Sequence, residues 1–146
     1  MFNKFDNFFM EVAESTSKLS YAKRLQVGAV LVRDRRILAT GYNGTPTGYH
    51  TNICEAADNT TLAAVVHAEE NLICHMAKST ESSVDSTLYV THAPCEKCSK
   101  LIAQAGIKRV IYGKYYPTSD PGIKLLTSLS IAVEQYEAVP NVDLQR

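Results

Sequence analysis

Three residues here are natural ligands for a borderline-soft metal: His67, in His67-Ala68-Glu69, and the two cysteines of Pro94-Cys95-Glu96-Lys97-Cys98. One imidazole and two thiolates suit Zn²⁺. Three protein donors leave a fourth tetrahedral position open, which marks a catalytic rather than a structural site. Glu69 follows His67 by two residues, close enough to reach a water in that position without ligating the metal. Each half of the pattern is weak alone. A single His-x-Glu is more often a satisfied histidine beside a surface glutamate. A single Cys-x-x-Cys in a cytosolic protein is more often redox-active or half of a structural zinc site. The remaining cysteines, Cys54 and Cys74, form no second Cys-x-x-Cys, so a four-cysteine site is not on offer. His50, Cys54, Cys74, His75 and His92 match no standard spacing for a second metal site, and satisfied or free side chains are the better reading.

The chain around these residues reads as one domain, 1–146, long enough for a real core. Fifteen basic residues balance fifteen acidic ones, which argues against a dedicated binder of nucleic acid polymers, whose domains carry a basic face. No apolar run approaches the roughly 18 residues of a membrane span. The start, Met1-Phe2-Asn3-Lys4-Phe5-Asp6, lacks the apolar stretch of a signal peptide. The expected compartment is the cytoplasm, where thiols stay reduced and able to ligate.

The elements that must position the site follow from periodicity. Phe5, Phe8, Phe9, Val12 and Ala13 recur at helical spacing within 4–19. Val27 to Val32 reads as a buried strand, Asp34-Arg35 as a turn, and Ile37 to Tyr42 as the returning strand. Gly28 and Ala29 are small enough for another backbone or a ligand to approach closely. Gly41-Tyr42-Asn43-Gly44-Thr45-Pro46-Thr47-Gly48 is a loop of defined shape, whose amides could cradle an anion. Residues 49–65 are polar and irregular.

A helix is predicted from His67 to about Lys78, a strand over Thr87–Thr91, an elbow at His92-Ala93-Pro94, and a helix from Cys95 to about Gln104 with Gly106 at its end. Strand 107–112, helix 121–128 and strand 131–136 complete the order β-β-α-β-α-β-α-β. The tail from Pro140 to Arg146 reads as polar and loose. That order argues an α/β fold: a three-layer αβα sandwich on a mixed five-stranded sheet, with a right-handed crossover between strands 87–91 and 107–112. Cys95 and Cys98, three apart, would share a helix face in the first turn, where free N–H groups and the helix dipole stabilise thiolates. His67 also starts a helix, so two helix N-termini can meet at one metal.

The pattern H-x-E…P-C-x-x-C is the signature of nucleobase zinc deaminases. From Val27-Gly28-Ala29-Val30 through Gly106-Ile107-Lys108-Arg109-Val110-Ile111 the chain resembles the cytidine deaminase superfamily. Within it, the Gly41–Gly48 loop resembles that of the deoxycytidylate (dCMP) deaminases, which turns the anion-cradle reading of that loop from one option into the preferred one. Asn52-Ile53-Cys54-Glu55 and Thr91-His92-Ala93-Pro94-Cys95 look like the phage-encoded branch, which would place the protein in a host's cytoplasm.

The resemblance implies hydrolytic deamination of dCMP to dUMP, with Zn²⁺ held by His67, Cys95 and Cys98 and protons shuttled by Glu69. It implies nucleotide contacts from Asn43, Ala68, Arg24 and Tyr115 or Tyr116. An arginine commonly follows the loop tyrosine in relatives, whereas this chain reads Lys114-Tyr115-Tyr116-Pro117. It further implies a homohexamer activated by dCTP and inhibited by dTTP at Gly41, Tyr42, Asn43 and Gly44, with Mg²⁺ accompanying the effector. The competing readings are a dual dCMP/dCTP deaminase, a zinc deaminase of tRNA adenosine, guanine or a nucleoside, a silent zinc-binding protein, and a thiol redox protein built on Cys95 and Cys98.

Overall fold

The amino-terminal helix begins where the sequence supplies a reciprocal cap. The Asn3 side chain accepts the backbone N–H groups of Phe5 and Asp6, and the Asp6 carboxylate accepts the Asn3 N–H. The computed structural model describes residues 2–138. Helix α1 spans Lys4–Ser17, two residues short of the expected end. Strand β1 (Gly28–Arg33) turns through Asp34 and Arg35, both at positive φ, into β2 (Arg36–Tyr42). Two left-handed residues are what a two-residue hairpin turn needs to match the strand twist. Then come α2 (Ala68–Lys78), β3 (Thr87–His92), α3 (Glu96–Gln104), β4 (Arg109–Lys114), a 3₁₀ turn (Pro117–Ser119), α4 (Asp120–Ser128) and β5 (Ala132–Gln135).

The five strands lie in the order β2-β1-β3-β4-β5. β1 is antiparallel to β2 and β3, while β3, β4 and β5 run parallel. This is the expected mixed sheet. Alternation along the strands separates two cores. Ala29, Leu31, Leu88, Val90 and Val110 pack with Leu72 and Met76 of α2, Ile102 of α3 and Leu126 of α4. Val30, Val32, Tyr89 and Ile111 pack with Phe9, Met10 and Ala13 of α1. The layers are therefore one helix, the sheet, and three helices.

β4 starts two residues later than the sequence suggests. Gly106 takes the left-handed conformation, Ile107 donates to Ile102 and Lys108 to Ser86, so both residues belong to the connection. Ile107 is apolar because it is buried there, not because it pairs in the ladder. Gly28 is small for α1: a Cβ would stand 2.1 Å from the Ala13 carbonyl oxygen. The close approach is by backbone. The tail from Pro140 lies outside the described residues. No helix among those residues is long and apolar enough to cross a membrane.

Candidate active site

Both halves of the metal motif sit at helix starts. His67 is the N-cap of α2 and Cys95 the N-cap of α3, each with extended backbone. The Cys98 N–H donates to the Cys95 sulfur at 3.5 Å, so the thiolate caps the helix that also carries Cys98. The Glu70 carboxylate accepts the His67 N–H at 3.0 Å and lies 3.5 Å from the Lys97 ammonium, tying the two helix starts together. At the elbow before Cys95, the Ala93 N–H donates to the Lys114 carbonyl, which fixes the connection to the end of β4. Gly122 of α4 comes so close that a Cβ would lie 2.4 Å from the Pro94 carbonyl. A side chain there would push α4 off the cysteine elbow.

The donor atoms converge. His67 Nδ1 lies 3.3 Å from Cys98 Sγ and 3.7 Å from Cys95 Sγ. Tetrahedral zinc with Zn–N near 2.05 Å and Zn–S near 2.3 Å requires N···S edges of about 3.6 Å. Both N···S distances lie near that value, and all three ligand atoms lie within 4.8 Å of one another, so the group fits zinc. Among the described residues this is the group of three or more His, Cys, Asp or Glu whose ligand atoms gather in one place. His50, Cys54, Cys74, His75 and His92 do not assemble into a second one. Without metal, the hydrogen bonds of Cys98 and His67 hold the Cys95 thiol far below its usual range, while the proton left on Cys98 is held firmly. A bound dication would deprotonate both thiols.

Glu69 is buried in the first turn of α2, beside the triangle. Burial pushes its carboxyl above the usual range; the Cys98 thiol and His67 pull the other way. Glu69 also borders a cleft of about 290 Å³, with Ala68, His67 and Cys95 at one end. Arg24, Asn43, Glu55 and Thr61 also line it, as do His92, Tyr116, Thr118 and Ser119. The structure brings Ala68, Arg24, Asn43 and Tyr116 together at one cavity.

Several expectations need correction. Tyr115 is exposed and outside the cleft lining; Tyr116, the next residue, takes that place. Gly41 is not in the loop. It lies inside β2, paired with Ala29, and its missing Cβ lets α2 approach: a Cβ would be 2.5 Å from the Ala68 carbonyl. The amides of Asn43 and Gly44 form no anion cradle, because they donate to the Val27 and Val66 carbonyls. The Asn43 side chain borders the cleft but is committed to backbone, accepting from Val27 N–H and donating to the Leu25 carbonyl.

The sequence also missed lining residues. His92 was read as part of the elbow, yet it ends β3 and is buried. A polar residue completing the alternation of Leu88 and Val90 was the available signal. Glu55, whose carboxylate accepts the N–H groups of Lys23 and Arg24, left no local signal because its partners are over thirty residues away.

A family model described as the cytidine and deoxycytidylate deaminase zinc-binding region matches residues 3–114. This chain belongs to that family. The crystal structure of dCMP deaminase from the cyanophage S-TIM5, in complex with dCMP and dUMP, is similar at a TM-score of 0.89 and 47% identity, over 93% of this chain and 99% of that one. The deoxycytidylate deaminase of Mycobacterium phage D29 is 37% identical over 122 residues, 75% of this chain and 94% of its own. That of Saccharomyces cerevisiae is 34% identical over 140 residues, 90% of this chain and 44% of the longer yeast protein.

Proposed function

We propose that this protein is a zinc-dependent hydrolase that converts dCMP and water to dUMP and ammonia. The observation that carries the reaction type is the buried Glu69 carboxyl beside the His67–Cys95–Cys98 triangle at one end of the cleft. The substrate assignment is supported by the likeness to the cyanophage enzyme, which binds dCMP and dUMP.

Zinc held by His67 Nδ1 and the two cysteine sulfurs would supply a Lewis acid that brings the pKa of the attacking water towards neutrality. Glu69 takes the proton from that water and delivers it to ring N3 as the water oxygen bonds to C4. A second proton, from the new hydroxyl, passes through Glu69 to the exocyclic amine. The C4–N bond breaks, ammonia leaves, and the carbonyl of dUMP remains. Burial suits Glu69 for the first of these transfers, since a carboxyl raised above its usual range is a stronger base and takes up the water proton more readily. Ala68 is fully buried at the cleft floor, where a larger residue would compete with the base. Arg24, at the cleft edge with its guanidinium 3.4 Å from the Thr61 hydroxyl, is the candidate phosphate ligand.

The regulatory reading extends the same proposal: a cytoplasmic homohexamer, activated by dCTP and inhibited by dTTP, with Mg²⁺ carried on the triphosphate. Its support is the family likeness of the Gly41–Gly48 segment. Donors other than the engaged Asn43 and Gly44 amides would have to hold the effector.

The deciding experiment supplies dCMP, dCTP, CMP and deoxycytidine to purified zinc-loaded protein, with and without dCTP or dTTP, and follows ammonia and uracil-nucleotide release. Preference for dCMP with opposite effector responses is expected. Turnover without effector response would retain the enzyme and remove the regulation. Turnover of none of these, with zinc bound, would overturn the substrate assignment. Cys95→Ser should lose bound zinc per chain; unchanged metal content by atomic absorption would remove Cys95 from the ligand set.

A further inference from the structure

His92 lines the cleft, is 8% exposed, and has no part in the chemistry above. Its surroundings determine which ring nitrogen carries the proton. Nδ1 lies 2.7 Å from the Thr91 hydroxyl oxygen. That oxygen already accepts the Gly28 N–H at 3.1 Å. If Nδ1 carried a hydrogen, it too would donate to this oxygen, and the Thr91 hydroxyl hydrogen would have no acceptor among its bonded neighbours. If Nδ1 is bare, the chain is complete: Gly28 N–H donates to Thr91, and Thr91 O–H donates to His92 Nδ1. The second arrangement satisfies every group, as buried polar groups require. The proton of the neutral ring then sits on Nε2, at the ring edge away from Thr91.

The ring is also held in place. It stacks on Tyr116 at 5.5 Å between centroids and 15° between planes. Its backbone pairs with Lys114 on β4, so a cation stands close by. The cleft wall around it carries the Tyr116 ring and the side chains of Thr118 and Ser119. Ala68 and Glu69 occupy the end where the reacting base must sit. The same lining carries the Arg24 guanidinium as well as the Glu55 and Glu69 carboxylates. Glu55 already accepts the Lys23 and Arg24 N–H groups, and the His92 N–H, like Arg24, is a donor suited to an anionic oxygen.

We propose that His92 is a specificity-determining residue, whose Nε2–H, fixed by the Gly28–Thr91–His92 relay, donates to the 5′-phosphate of the nucleotide and favours nucleotide over nucleoside. This rests on the deamination reading above. It assigns the cleft a second phosphate contact alongside Arg24, on a residue built into the sheet rather than on an exposed side chain. Thr91 is a positioning residue: it touches His92, not the ligand.

The test measures calorimetric binding of dUMP and deoxyuridine, and steady-state constants for dCMP, on zinc-loaded wild type, His92→Leu and His92→Gln. Expected for His92→Leu is a fall of about tenfold or more in dUMP affinity, deoxyuridine affinity nearly unchanged, and a raised KM with kcat much less affected. His92→Gln keeps an N–H donor and should recover most of the loss. An equal loss for dUMP and deoxyuridine would overturn the phosphate assignment. A Gln variant as weak as Leu, or dUMP affinity unchanged in both, would overturn the donor role. Wild-type protein that fails to deaminate dCMP would instead remove the underlying reading. A Thr91→Val variant, folded by its melting temperature, should lose part of the same dUMP affinity; unchanged affinity would remove the relay.

Discussion

Asp6 and Glu69 are both nearly sealed from water, at 2% and 4% exposure, on opposite faces of the same sheet. Asp6 comes from α1 and is surrounded by donors. Its carboxylate accepts from the Tyr89 hydroxyl at 2.7 Å, from Arg109 at 3.2 Å and from the Asn3 N–H at 3.0 Å. Arg109 continues to Glu134 on β5. One buried charge thereby ties α1 to β3, β4 and, through Arg109, β5. Glu69 has no cation of this kind: its neighbours are a thiol and the imidazole of the metal triangle, and burial raises its carboxyl. A buried carboxylate saturated with donors and paired with an arginine holds elements together. One buried beside a metal site and a cleft, with its proton affinity raised, is free to exchange protons with a substrate.

Removing the charge at each position should separate the two roles. Glu69→Gln is expected to lower dCMP turnover by about 10²–10⁴-fold with zinc content and fold retained, because the amide cannot carry protons. Near wild-type ammonia release would end the contrast. Asp6→Asn should do the reverse: about 3 kcal/mol of lost stability, since Arg109 and Tyr89 lose a buried anion. That is a fall of roughly 6–12 °C in melting temperature for a chain of this size, with kcat per folded molecule kept. A kcat loss comparable to that of Glu69→Gln would show that the two faces are coupled.

Tyr89→Phe removes one hydrogen bond of the Asp6 cluster and should cost about 1 kcal/mol in denaturant titration. A neutral result would mean that the Asp6–Arg109 pair alone carries the contact. The smallest effect is one of pH in the metal-free protein. A carboxyl whose folded-state value is raised keeps its proton longer in the folded chain than in the unfolded one. Folded stability therefore falls as pH climbs from the ordinary carboxyl range through Glu69's own value. Glu69→Gln abolishes that fall. The melting-temperature advantage of the variant over wild type should be absent in acid and grow towards neutral pH; a constant difference would contradict the burial effect.

Much of the site was legible because its chemistry is local. His67 with Glu69, and Cys95 with Cys98, are each close in sequence, and each half is placed at a helix start by short-range signals. The order of strands and helices along the chain was legible from alternation and turn residues. Gly41 was read both within the returning strand and at the head of the loop, because a glycine looks the same whether it supplies loop freedom or room for α2; only the packing of α2 on β2 distinguishes them. The Asn43 side chain lines the cleft but also bonds Leu25 and Val27, through contacts that span sixteen to eighteen residues and leave no local signal. The edge of β4 depended on pairing Thr87 with Arg109, which no window on 107–112 contains.

The sequence by itself brought forward the His67, Cys95 and Cys98 group, the Glu69 carboxyl and the αβα order, because side-chain chemistry and hydrophobic period are written residue by residue. The tertiary structure alone decided that Glu69 is buried beside the metal triangle while Asp6 is saturated on the far face. It also decided that Tyr116 rather than Tyr115 walls the cleft, and that His92 lines it with Nδ1 against the Thr91 hydroxyl. Those facts depend on which distant backbone and side-chain groups satisfy each polar atom, and burial of hydrogen-bonding groups is settled only when the whole chain has packed.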